Sequence, residues 1–263
     1  MNPSSPITKP KKRFHRTRIA VKYSAYAAGG LAIVYAVTLY FIFFVFQRAT
    51  IASPAQAALP TYASPEDALR GKNLITYLDR NASKEIQPIN VVIVVPPSST
   101  IASVFEKFQW TQSPIFSDGS ITIANLYALA RHGVMPVADL YFNGVKQEYA
   151  FQNQSHSILK REHIRLWALG YVGTTGATLY AGSISYDNGI GLFDYKKFIV
   201  PLHQIDPNVD ASRDALLSIA NATGITQQSW YDPAGVIRAR ATGEAADEQS
   251  FFSDGKILIL YVR

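Results

Sequence analysis

Residues 88–95 read PINVVIVV. Past its first three residues the run is unbroken Val and Ile, with no polar alternation. A strand that is apolar at every position is buried on both faces and belongs in the middle of a sheet. Pro96-Pro97 end it. A central strand of this kind needs further layers on both sides, so the rest of the chain must supply them. Downstream, DLYFNG and KQEYAFQ meet at Asn143-Gly144, a strong hairpin signal. REHIRLWALGY, TGATLYAGSISY and FDYKKFIVPL follow, each short and rich in Tyr, Ile, Leu or Val, and KILILYV (256–262) reads as a last strand. The stretch ARATGEAADEQSFFSDG before it reads as an exposed loop.

Helical signals lie between these strands. Ser64-Pro65-Glu66-Asp67 offers a cap, a proline at the first helical position and two acids at the positive end of the dipole, predicting a helix to about Leu78. Ser98 or Ser99 is placed to cap a helix through Val104, Phe105, Phe108 and Trp110, and residues 121–131 read as another. Asp206-Pro207 predicts a helix over 208–221, with Asp206 as its N-cap. The expected fold is α/β or α+β, a mixed sheet with flanking helices.

Upstream, residues 23–46 (YSAYAAGGLAIVYAVTLYFIFFVF) hold no charge. At 1.5 Å per residue a helix of this length reaches roughly 36 Å, enough for a hydrocarbon core of about 30 Å. KPKKRFHRTRIAVK precedes it. Eight of the chain's 25 Lys and Arg and none of its 19 acids lie in residues 1–48, so the remainder carries 17 basic against 19 acidic residues. The basic character belongs to the arm. Lys11 to Lys22 outweigh Arg48 on the far side, so the expected topology is N-terminus in the cytoplasm and C-terminal domain outside it. The expected organisation is a basic arm (1–22), a single transmembrane helix (23–46), a linker rich in Ala, Pro and Ser (47–63), and a globular domain (64–263), in an inner (plasma) membrane. Ala55-Gln56-Ala57 resembles a cleavage site, but the apolar run is longer than a signal peptide's core, which favours an uncleaved signal anchor. The partners expected are the lipid bilayer, anionic headgroups beside the arm and a multi-span membrane protein, with no nucleic acid. Cysteine is absent, which removes disulfides, thiol nucleophiles and thiolate metal sites.

Polar residues concentrate in two places. On a strand, Arg161, His163, Arg165 and Trp167 share one face, and Ile164, Leu166 and Ala168 point the other way. Three cationic or potentially cationic groups in a row demand carboxylates or an anionic ligand. Carboxylates are on hand in Asp187, after LYAGSISY, and in HQIDPNVDASRD (203–214), which adds His203, Asp206, Asp210, Arg213 and Asp214. On a helix Asp210 neighbours both Arg213 and Asp214. Two interpretations stand: a structural ion-pair network, or an anion or phosphate site with His163 or His203 as acid or base and Arg165 as clamp. A metal set of His163, His203 and Asp206 or Asp187 is chemically reasonable but nothing in the spacing demands it, so no metal or cofactor is expected. The chain has no HExxH, no phosphate-cradling GxxxxGK[ST] and no GxSxG, and Gly189-Ile190-Gly191 lacks the rest of a dinucleotide fingerprint.

The same residues resemble the LssY C-terminal domain family of bacterial proteins. The run DLYFNGVKQEYAFQNQSHSILKREHIRLW carries its hairpin, its "aFq" strand and its H-x-R-x-W strand at His163, Arg165 and Trp167. Tyr180 to Asp187 match its small-residue strand ending in Asp. His203, Ile205, Asp206, Asp210, Arg213 and Asp214 match a later H-x-I-D-x-x-x-D-x-x-R-D segment, and INVVIVV looks like its opening strand. The likeness spans roughly 88–222. It implies a membrane context, since the domain is often fused to multi-span modules of the lipid-phosphatase type; this chain has no phosphatase motif of its own. The function expected is an envelope protein that binds a membrane partner or an anionic envelope component. The alternative is a phosphoester or lipid-phosphate hydrolase using the His/Arg/Asp cluster.

Overall fold

The structure, a computed structural model, describes residues 12–40, 58–78, 80–82, 85–115, 128–153, 157, 159–195, 198–233, 239–240 and 250–263. Two compact units divide the chain, residues 1–52 and 53–263. Within the first, helix α1 runs Lys12–Tyr40, about 43 Å at 1.5 Å per residue. Over residues 21–37, whose side chains are described, its apolar residues are exposed, Leu31 at 72% and Ile33 at 66% among them. Among the described residues, no helix is long and apolar enough to cross a membrane. The last six residues of the uncharged run, 41–46, and most of the linker lie outside the described residues.

The second unit is built on β4 (Val91–Val95), every residue of which is buried. It lies between β15 (Ile257–Val262), to which it is parallel, and β10 (Thr178–Tyr195), to which it is antiparallel. Outward from β15 comes β12 (Thr226–Tyr231). Outward from β10 come β9 (Arg161–Val172), β8 (Tyr149–Asn153) and β5 (Trp110–Gln112). With β1 (Thr61–Tyr62) parallel to the end of β9, and β11 (Phe198–Ile205) beside β10, the sheet has nine strands. It is a mixed sheet with helices, as PINVVIVV and the hairpins predict.

On one face, α3 (Ile101–Lys107) and α4 (Val209–Thr223) seat Ile101, Val104, Phe105, Leu216 and Ala220 on Val91, Ile93, Ile164, Leu166 and Leu258. On the other lie α2 (Pro65–Leu69) and a four-stranded sheet of β3 (Glu85–Pro88), β2 (Ile75–Tyr77), β6 (Tyr141–Phe142) and β7 (Val145–Lys146). There Leu69, Ile89 and Phe142 pack on Val92, Val94, Trp167, Leu179 and Ile259. A short ladder of β13 (Ala239–Arg240) and β14 (Phe251–Phe252) stands apart, within the stretch read as loop.

Several local expectations are corrected. Helix α2 ends at Leu69 rather than Leu78, because Gly71 turns at φ +71° and β-branched Ile75 and Thr76 enter β2. Thr100, not Ser98 or Ser99, caps α3, in a reciprocal pair with Ser103, and Trp110 belongs to β5 rather than to that helix. Thr61 and Tyr62, read as linker, pair with Tyr171 and Val172. There β9 approaches the chain so closely that a Cβ on Gly170 would sit 2.2 Å from the Pro60 carbonyl oxygen. FDYKKFIVPL is not one strand but the two arms of the β10–β11 hairpin, and Gly189-Ile190-Gly191 lies inside β10. Residues 128–131 are helical; the rest of the helix expected at 121–131 lies outside the described residues.

One buried side chain completes the sheet. On the side of β10 where β4 ends and β11 has yet to begin, Asn90 stands in for a strand. Its Oδ1 accepts from the Ile184 amide (3.0 Å) and its Nδ2 donates to the Ile184 carbonyl (3.1 Å) and to Val209 O (3.3 Å).

Candidate functional site

The alternation of β9 places Arg161, His163 and Arg165 on the face toward the four-stranded sheet, opposite Ile164 and Leu166. Trp167 is on the same face but joins the apolar core there, its indole N–H donating to Val145 O at 2.9 Å. Register then brings polar partners alongside. Gln152 on β8 and Ser185 on β10 both flank His163, and Asp187 flanks Arg161. His203 arrives on β11. Gln87 reaches across from β3, its Nε2 donating to Ser185 Oγ (3.1 Å) while its Oε1 accepts from Ser183 Oγ (3.1 Å).

Asp187 is the hub. Its Oδ2 lies 3.1 Å from Arg161 Nε, 3.1 Å from His203 Nδ1 and 3.4 Å from His163 Nδ1. Burial alone would push this carboxyl up; His163, His203 and Arg161 outweigh it and hold the group well below the usual carboxylate range. Arg161 also donates through Nη1 to Met135 O (2.7 Å) and to Gln152 Oε1. Gln152 in turn donates to Gly133 O and accepts from the Met135 amide. Arg165 donates through Nε to Ala138 O (3.2 Å), and its Nη1 lies 2.9 Å from His163 Nε2. The carbonyls of Gly133, Met135, Pro136 and Ala138 are thus held by the two arginines and Gln152.

These contacts fix the protonation of His163. A guanidinium is always a donor, so Nε2 must accept from Arg165 and the proton sits on Nδ1, facing Asp187. Burial, with the charges of Arg165, Arg161 and His203 added, lowers the imidazole to about 3 against the pull of Asp187. His163 is therefore neutral at neutral pH. Arg165, lowered to about 10 chiefly by burial, stays protonated. The same tautomer removes His163 as a metal ligand: Nδ1 carries hydrogen and Nε2 is taken. Among the described residues no group of three His, Asp or Glu is arranged to hold a metal ion.

His163, Arg165 and Asp187 are buried; the His203 side chain is 30% exposed. Asp206, expected beside them, is elsewhere. Its Oδ1 accepts from the Asn208 amide (2.8 Å), and Asn208, not Asp206, caps α4 by accepting from Ala211 N. Asp210, Arg213 and Asp214 form a second group with Asp254. Arg213 Nη1 lies 3.1 Å from Asp210 and 2.7 Å from Asp254, and Nε lies 3.0 Å from Asp214. Its guanidinium stands 4.9 Å from the Trp230 ring centroid. Burial opposes the Arg213 charge, but hydrogen bonds to Asp254 and Asp214 outweigh it and raise the group. This group ties the start of α4 to the turn before β15.

The sequence reading missed Gln87, Gln152, Ser183, Ser185 and Asp254. Gln152, on the strand face of Ala150, and Ser183 and Ser185, on the strand face of Asp187, were open to the same alternation argument.

A family model, LssY C-terminus, matches residues 72–257. The chain belongs to the LssY C-terminus family. No curated protein and no solved structure matches the chain. The match runs from just before β2 to the first residue of β15, so both polar groups of this LssY C-terminus domain fall inside it.

Proposed function

We propose that this chain is a membrane-anchored envelope protein whose LssY C-terminus domain is a binding module, serving a membrane partner or an anionic envelope component. The observation that carries the non-catalytic part is the closure of the polar cluster. Arg161, His163, Arg165 and Asp187 are buried, and the hydrogen bonds of the two arginines go to Asp187, His163, Gln152 and the carbonyls of Met135, Pro136 and Ala138. A catalytic trio of His163, Arg165 and Asp206 would have to converge where substrate can reach it; Asp206 is bonded elsewhere. The anchor is supported by the uncharged run 23–46, by the basic turns before it and by the exposure of apolar residues on α1.

The test of the anchor is protease added to intact spheroplasts, joined to alkaline carbonate extraction. Clipping of the C-terminal unit with retention of α1 in the membrane is expected; protection of that unit, or its release as a soluble protein, overturns the reading. A second reading rests on one observation. His203 is part-exposed, with Nδ1 3.1 Å from Asp187, the arrangement that orients a histidine for acid–base work on a phosphoester. His203→Gln separates the two. A folded variant that loses phosphoesterase activity present in the wild type favours the hydrolase, whereas unfolding of His163→Ala and Arg165→Ala with a silent His203→Gln favours the binding module.

A further inference from the structure

Among the described residues, strand β12 is an outer strand of the nine-stranded sheet, paired on one side only, with β15. That pairing fixes which of its backbone groups point outward. The Arg263 amide donates to Ile225 O, one step before the Thr226↔Val262 pair. Hydrogen-bonded and non-hydrogen-bonded pairs alternate along an antiparallel ladder. Gln227, Ser229 and Tyr231 therefore bond to β15, and Thr226, Gln228 and Trp230 turn their amides and carbonyls to the open side. Among the described residues, none of those outward groups meets a partner.

Exposed edges are ordinarily blunted by shortness, charge, proline or a bulge. The sheet's other outer strands are blunted in this way: β1 has two residues, β5 has three, and β11 carries Pro201. Strand β12 has none of these devices. TQQSWY is six residues long, about 20 Å, with no charge, no proline and no register shift. Gln227, Gln228 and Trp230 are exposed, Trp230 at 43%. Such an edge is a template for another strand, and its own sequence fits it. About a two-fold axis through Gln228, antiparallel pairing sets Gln228 opposite Gln228, Thr226 opposite Trp230 and Gln227 opposite Ser229. Every outward amide then meets an outward carbonyl. No charge opposes a like charge, and the exposed Trp230 ring lies beside Thr226 and Gln228 of the second copy.

We propose that β12 is a homodimer interface, through which two copies of this chain join their nine-stranded sheets edge to edge, antiparallel, with Gln228 on the two-fold axis. The pairing is isologous, so it closes at two copies. It stands apart from the binding reading above and does not require the membrane anchor.

The experiment uses the full chain in mild detergent, with the protein mass of the particle followed by light scattering. The wild type is expected to dimerise. Gln228→Lys and Gln228→Glu each set two like charges opposite one another on the axis, so each alone should dimerise several-fold more weakly. An equimolar mixture pairs lysine with glutamate and should recover the dimer. Gln228→Pro removes an N–H that β15 does not use, and with it two hydrogen bonds of the interface, which should weaken dimerisation roughly 30-fold at about fivefold each. Hydrogen exchange at the Thr226, Gln228 and Trp230 amides should be fast in the dilute monomer and slowed in the dimer. A wild type that is monomeric at every concentration overturns the proposal and leaves the edge to a strand of a different protein. Dimerisation that Gln228→Lys and Gln228→Glu leave unchanged, or that their mixture fails to restore, overturns it as well, because the contact then lies elsewhere on the chain. Slow exchange of the three amides in the monomer also overturns it, by showing that the chain covers its own edge.

Discussion

His163→Gln should make the domain less sensitive to acid even if it costs stability at neutral pH. Burial lowers the His163 imidazole from 6.5 to about 3 in the fold. The unfolded chain therefore takes up this proton at a higher pH than the folded one does. The stability contributed by keeping the ring neutral is complete above the unfolded value and drains away as pH falls from 6.5 toward 3. Between pH 7 and pH 5 the loss from this one group is about 2 kcal/mol, below the roughly 2.7 kcal/mol that the limiting slope of about 1.36 kcal/mol per pH unit would give, because the unfolded imidazole is only partly protonated near pH 6.5. For a folded unit of about 200 residues, that lowers Tm by roughly 4–8 °C. Glutamine has no such proton to gain, and its carbonyl can still accept from Arg165. Melting curves of the wild type and the variant in mild detergent, followed by tryptophan fluorescence from pH 7.5 to 4.5, would show the variant flatter by that amount. The other four histidines and Asp187 are common to both proteins, so the difference between the curves isolates His163. Parallel curves would refute the assignment of a buried, neutral imidazole.

Three further outcomes follow from particular contacts. Asp187→Asn takes from Arg161 the buried carboxylate it bonds at 3.1 Å and should cost about 3–5 kcal/mol; urea titration that finds less than about 1 kcal/mol would show the hub to be dispensable. Asn90→Ala strips both backbone partners from Ile184 between β4 and β11, at about 1–3 kcal/mol for each buried group left unpaired, and hydrogen exchange at the Ile184 amide should accelerate ahead of the rest of β10. Gly170→Ala places a Cβ 2.2 Å from Pro60 O and 2.8 Å from the Tyr62 ring, at φ +156°, so β1 should detach while the nine-stranded sheet survives. New protease cleavage near residue 60, with an unchanged core fragment, is the expected result.

The contrast between what could be read and what could not follows from the range of the interactions. PINVVIVV declares a central strand because burial on both faces leaves no polar position, and Asn143-Gly144 declares a hairpin because both residues take positive φ, 47° and 78°. Both signals are local. The shared face of Arg161, His163 and Arg165 was legible for the same reason, since strand alternation needs no partner. What the three residues bond to was not legible. Asp187 and Asp206 both stood as candidate carboxylates, and only the β9–β10 register, across 26 residues from Arg161, decides for Asp187. Gln87 meets Ser185 across 98 residues and between two sheets. No spacing rule spans such distances; only the stacking of β3 over β10 creates the contact. The function follows the same division. Composition and alternation could mark a cationic strand face as unusual, but whether it serves a ligand or the fold depends on where its hydrogen bonds end. In this fold they end on Asp187, Gln152, His163 and the carbonyls of Met135, Pro136 and Ala138. Arg161, with Nε, Nη1 and Nη2 all committed in the protein, has little left for a phosphate. Among the described residues of the cluster His203 is part-exposed, at 30%, and His203→Gln is the substitution that separates ligand recognition from support of the sheet.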